Sequence, residues 1–312
     1  MKSFEKRKLI KGFGYGALTV GCWGILNVTT HEALNSGFLP NDLTMLRYCV
    51  SGIICLPLMM MNLRGVMQIT NWARATAFSL LAGPMYGWLV NKGMQLTPLS
   101  YASVMVPTFT MIITTAFLSA QGEKINKAQI GGIGVIVFGL YLLINRPFGA
   151  ELQSSIGATL FLLAGLAWAL FALLLKRWQV NLVSTIFMMN VISGIIYLPV
   201  YLRSAHSDLS ALPIEQWITQ TFVQSVLASI VVVFTFARAV NYLGATVSST
   251  LPALIPLVSI FLASFWFGHV ITDSEKFALA MISCGFVVCT VSKRNRQKVS
   301  RDSITRVWRG KA

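Results

Sequence analysis

The chain has 312 residues, 55% of them hydrophobic and only 11% charged, with a mean hydropathy of +0.68. Soluble domains are about a quarter charged, so a large water-exposed domain is excluded; long apolar runs such as Ile130 to Ile144, lacking period-two alternation, exclude an outer-membrane barrel too. The net charge of +15 would suit nucleic acid in a soluble chain, but five of the 25 basic residues precede position 12 and eight follow 292, which fits tails beside an anionic leaflet and no nucleic-acid partner.

Cut at its polar and Pro/Gly clusters, the apolar body gives ten stretches near the ~20 residues a spanning helix needs: 12–31, 41–61, 72–93, 99–120, 128–145, 155–175, 183–202, 217–240, 244–266 and 276–292. No small-residue cleavage site follows the basic N-terminal segment, so the first stretch reads as an uncleaved helix. With the N-terminus inside, the cytoplasmic segments hold 20 Lys and Arg and the outer ones four: Lys92, Arg146, Arg203 and Lys276. That bias and the even number of spans predict an all-α multi-pass membrane protein with cytoplasmic tails at 1–11 and 293–312. The five cysteines lie in apolar runs without metal or redox spacing and read as small buried hydrophobes.

Residues 51–57 read SGIICLP and residues 193–199 read SGIIYLP. At an offset of 145, Gly12 and Trp23 meet Gly157 and Trp168; at 146, Gly139 meets Gly285. Three matches in the same order indicate duplication of a five-helix unit, 12–145 and 155–292. Five crossings are odd, so the second copy enters from the opposite side and the copies are expected to be inverted, with a substrate site between them near the midplane.

In chain order, the first span carries Trp23 at mid-depth and Asn27 one turn further on the same face. Trp23 and its mate Trp168 are either packing residues or flat walls for an organic solute, with Asn27 supplying a hydrogen bond. In the second span Arg47 lies five residues inside Asp42. It is expected to snorkel or to pair with Glu32 or Asp42; the other role open to it is anchoring a substrate carboxylate. In the third span Pro84, Trp88, Asn91 and Gln95 form one stripe, expected to face protein or water because amides in hydrocarbon are costly. Ser103, Thr108, Ser248 and Ser249 suit close helix contacts. No Asp or Glu falls deep within a span, and HExxH, GxSxG and Walker A motifs are absent. An enzyme, a bound cofactor or metal, and a carboxylate-based ion pump are therefore disfavoured.

The chain resembles EamA-type members of the drug/metabolite transporter superfamily over about 12–292. The resemblance rests on Trp23-Gly24, the run from Arg47 to Pro57, Gly122-Glu123 with Gln129-Ile130-Gly131 and Gly139, then Trp168, Pro256, Gly268 and Gly285. His269 stands where a glutamate is usual, and Thr110 matches Pro256, with Pro107 three residues earlier. The resemblance implies ten helices, export or exchange of small metabolites, and a cavity between the copies with spans 5 and 10 at the periphery.

Mapped by the repeat, Lys92 and His269 fall at the outer ends and Arg238 and Glu123 at the inner ends, making them candidate gating residues. The sequence therefore predicts a secondary transporter that exports or facilitates passage of a small organic metabolite, amino-acid-like solutes included, by alternating access. Its partners would be the substrate and the lipid bilayer, with the chain a monomer or homodimer. The rival reading is a membrane scaffold or regulatory subunit.

Overall fold

Long apolar runs satisfy their backbone groups only by internal hydrogen bonding, and here they fold as helices joined by short turns. The structure is a computed structural model that describes residues 2–61, 68–97, 99–122, 125–144, 151–208, 212–268, 272–274, 276–289 and 291–292; the expected 293–312 tail lies outside them. The first copy holds α1 (Lys2–Asn35), α2 (Pro40–Met61), α3 (Ile69–Ala82), α4 (Pro84–Leu96), α5 (Leu99–Ala120) and α6 (Lys127–Ile144). The second holds α7 (Glu151–Trp178), α8 (Leu182–Arg203), α9 (Ile214–Leu243), α10 (Ile255–Phe267) and α11 (Lys276–Cys289). No strand occurs among the described residues, and six helices, in α1, α2, α5, α7, α8 and α9, are long and apolar enough to cross a membrane. Three shorter apolar helices accompany them.

The helices depart from the expected spans where chain chemistry requires it. α1 starts at Lys2, well before residue 12, because Glu, Lys, Arg and Leu favour helix and no Gly or Pro precedes Gly12. The third stretch is broken at Gly83-Pro84: Pro84 has no N–H to donate, and a Cβ at Gly83 would collide with the Ser79 carbonyl. The ninth is broken before α10 into a short 3₁₀ turn, Leu251–Leu254, that carries Pro252. α2 and α9 each contain a π-helical stretch, Leu46–Val50 and Phe222–Val232, and these two stretches pack on each other.

Close contacts recur with the two copies exchanged, as a twofold relation requires. A Cβ on Gly52 would lie 3.0 Å from Asn190 O, and one on Gly194 2.9 Å from Tyr48 O. A Cβ on Gly139 would lie 2.9 Å from Ile282, and one on Gly285 2.7 Å from Ile136 and from the Gly132 carbonyl. At the offsets read from the sequence these are mated pairs. Gly139→Ala and Gly285→Ala are therefore expected to destabilise the protein alike, by about 1–3 kcal/mol, because backbone sits where the methyl would go. Gly131→Ala on α6 meets nothing within 4 Å and is expected to be silent. Melting in detergent checks all three; a silent Gly285→Ala would contradict the close crossing of α6 and α11.

The largest buried cluster surrounds Trp168 and draws on α1, α3, α4, α5, α7, α8 and α9. A second, built on Ile136, Leu140, Ala278 and Ile282, ties α6 to α11, and Phe286 packs against both clusters. Large apolar side chains including Ile53, Phe138, Ile195 and Phe265 are exposed, the surface expected of a chain solvated by lipid.

Candidate functional site

The repeat places Trp23 on α1 and Trp168 on α7 at equivalent positions, and the fold brings the mates together. Their ring centroids are 4.9 Å apart and tilted by 59°. Mates that touch straddle the twofold relation, so this pair marks the centre of the inter-copy contact. Trp168 also meets Tyr86 at 5.0 Å, Phe171 at 5.1 Å and Phe236 at 5.3 Å. Beside these rings lies a cavity whose walls include Trp23, Asn27, Tyr86, Pro107, Thr110, Trp168 and Pro252. About 20 Å³ of it is open to the centre of a water molecule, the room of roughly one water, so an organic solute fits only if the walls move.

The polar groups at this cavity are short of partners. The Trp168 Nε1–H is buried without an acceptor, and the Asn27 amide makes no hydrogen bond among the described residues. Thr110 Oγ1 donates to Gly165 O at 3.2 Å. Pro107, inside α5, has no N–H to donate to the helix. An apolar, aromatic cleft with a few unengaged polar groups is the usual form of a small-molecule site.

The third-span stripe lies elsewhere. Trp88 is 36% exposed and donates through Nε1 to Asn41 Oδ1 at 2.9 Å; Asn91 is buried and donates to Thr44 Oγ1 at 3.1 Å. Lys92 Nζ donates to Gln95 Oε1 at 2.7 Å on the exposed side. None of these four lines the cavity, to which α4 presents Tyr86 and Val90. Periodicity identifies a shared helix face but not its direction: Trp88 and Asn91 found acceptors at the start of α2, and Gln95 found Lys92 on its own helix. Tyr86 escaped the sequence reading because nothing marks an aromatic in an apolar run as central.

At that same end Asn41 and Asp42 join the copies. Asn41 donates to Ala205 O at 2.8 Å and accepts from Tyr197 OH at 3.3 Å. Asp42, 0% exposed, accepts from Leu39 N at 2.8 Å, Ser207 Oγ at 2.7 Å, Ser207 N at 3.2 Å and Tyr201 OH at 3.1 Å. The carboxylate both caps α2 and holds the segment after α8. Its role was hidden because its donors lie some 160 residues away in the chain.

Arg47 neither snorkels nor pairs with Glu32 or Asp42. It is 2% exposed, its Cζ lies 5.5 Å from the Tyr48 ring and 5.6 Å from the Tyr86 ring, and its Nε is buried without an acceptor. The surrounding π-helical carbonyls are served by hydroxyls: Ser225 donates to Leu46 O at 2.7 Å, and Ser51 and Ser229 donate to Arg47 O.

Of the candidate gating residues, Glu123 and His269 lie outside the described residues, so neither expected pairing, Arg238 with Glu123 or Lys92 with His269, is on view. Arg238 is half-buried, with Cζ 5.1 Å over the Phe234 ring and Nε unpartnered.

Residues 10–145 and 155–291 each match the model of the EamA-like transporter family. No curated protein matches. A crystal structure of a protein 17% identical superposes with a TM-score of 0.69 over 91% of this chain and 98% of that chain, which shows a shared fold.

Proposed function

Since the chain belongs to the EamA-like transporter family, we propose that it moves a small organic metabolite, with amino-acid-like solutes among the candidates, through the Trp23–Trp168 cavity by alternating access. The observation that carries this reading is the placement of an aromatic, incompletely hydrogen-bonded cavity at the contact between two copies related by exchange. A cavity with room for about one water must open for a metabolite, and rocking of one copy against the other is the motion such repeats permit. In this reading the α3–α4 pair and the broken ninth stretch each count as one crossing, which gives ten spans in a cell inner membrane with both ends cytoplasmic. Cys introduced in the 204–208 segment should react with an impermeant thiol reagent in intact cells, whereas Cys in the 1–11 segment should not. Labelling of 1–11 from outside would sink the orientation.

With no carboxylate deep in a span, flux is expected to follow the substrate gradient without a proton or sodium ion. An untargeted comparison of metabolites in cells and medium, with and without the protein, identifies the solute. Proteoliposomes holding that solute at equal concentrations on both sides should then show no accumulation under an imposed pH gradient. A protein that changes no metabolite in either compartment would be a scaffold or regulatory subunit.

A further inference from the structure

Two buried donors near the cavity, the Arg47 Nε–H and the Trp168 Nε1–H, have no acceptor. Arg47 is enclosed, and among the described residues no carboxylate pairs with it. Asp42 is already engaged by Leu39, Ser207 and Tyr201. Of the oxygens beside Arg47, Leu46 O accepts from Ser225 and Arg47 O from Ser229, while the one Ser51 hydroxyl proton reaches either Arg47 O or the Asn190 side-chain Oδ1. A cation buried without an anion is costly, and ring faces relieve only part of that cost. The second orphan at the site, Trp168 Nε1–H, is also a donor.

Tyr86 touches both donors' residues, its ring 5.0 Å from the Trp168 ring and 5.6 Å from the Arg47 Cζ. A rotation of Tyr86 would join the aromatic cavity to the guanidinium. Arg47 itself sits in the π-helical turn of α2, a geometry that shifts side chains off the regular helix face and recurs at functional sites.

We propose that the transported solute bears a carboxylate, and that Arg47 binds it once Tyr86 turns aside. The inference rests on the reading of the Trp23–Trp168 cavity as the transport site. A guanidinium matches a carboxylate with two parallel hydrogen bonds, and neutralising it on binding couples occupancy to the rearrangement that opens the cavity.

Proteoliposomes of neutral phosphatidylcholine, loaded with matched pairs (leucine and leucinamide, phenylalanine and phenylalaninamide, benzoate and benzamide, succinate and succinamide), test it by mass spectrometry of the efflux, corrected by protein-free vesicles. At least one carboxylate is expected to leave through the protein at least about tenfold faster than its amide. Arg47→Gln should abolish that preference while melting within a few degrees of the parent, since a neutral replacement removes a buried unpaired charge. Arg47→Lys should keep the preference at reduced rate. Amides moving as fast as acids, an Arg47→Gln protein that still prefers the acid, or no protein-dependent efflux of any acid would each overturn the inference. If metabolite comparison instead reveals a neutral or cationic solute whose flux depends on Trp23 and Trp168, the transport reading stands and only the carboxylate inference falls.

Discussion

Trp168→Phe is expected to slow transport about tenfold while leaving the protein as stable as the parent or more so. The Trp168 ring is 1% exposed, with four aromatic rings within 5.3 Å, so truncation to alanine should destabilise by about 3–5 kcal/mol and say nothing about transport. Phenylalanine keeps an aromatic ring in the cluster and removes Nε1–H, a buried donor with no acceptor in the protein. Deleting an unsatisfied buried donor is neutral or favourable for folding. For a solute that accepts from that donor, the deletion loses one hydrogen bond and part of a stacking surface, together worth about 1–2 kcal/mol. Trp23→Phe should act in the same direction with smaller effect. Efflux and detergent melting are measured on the same preparations. Parent-like transport by a stable Trp168→Phe protein would leave packing as the role of the pair.

Asp42→Ala should open the end of the molecule at which α2 begins and α8 ends. The buried carboxylate accepts from four donors, three of them on the second copy: Tyr201 OH and the Ser207 N–H and Oγ–H. Any motion that parts the copies at this end must break these bonds, and hydrogen bonds to a buried charge are worth about 1.5–3 kcal/mol each. Loss of all three bonds should raise the population open at this end by at least about a thousandfold. The readout is Thr44→Cys, buried beneath the strap and made in a background with Cys49 replaced, titrated with an impermeant maleimide. Its labelling should accelerate in proportion, and Tyr201→Phe, which loses one bond, should give a smaller increase. Unchanged labelling in Asp42→Ala would show that the strap shapes a turn and does not hold the copies closed.

What the sequence determined by itself are properties local to a segment or common to both copies. Helix follows from apolar length because hydrocarbon leaves backbone groups no other partner. The equivalence of Trp23 and Trp168 was legible from the offset of the duplication, whereas their contact was decided by the packing of the two copies. The stretches 72–93 and 244–266 read as continuous, and the breaks at Gly83-Pro84 and Pro252 appear only in the fold, where they divide each stretch. Only the tertiary structure decided which way each helix face points and which distant groups meet it. The Trp88 stripe turned toward α2 because Asn41 and Thr44 offered acceptors there. Arg47 turned inward because the carboxylate nearest in sequence, Asp42, was claimed by donors from the second copy. Polar side chains in a low-dielectric interior go where their partners are, and partners more than a hundred residues apart are set by the packing of the two copies and by no pattern along the chain.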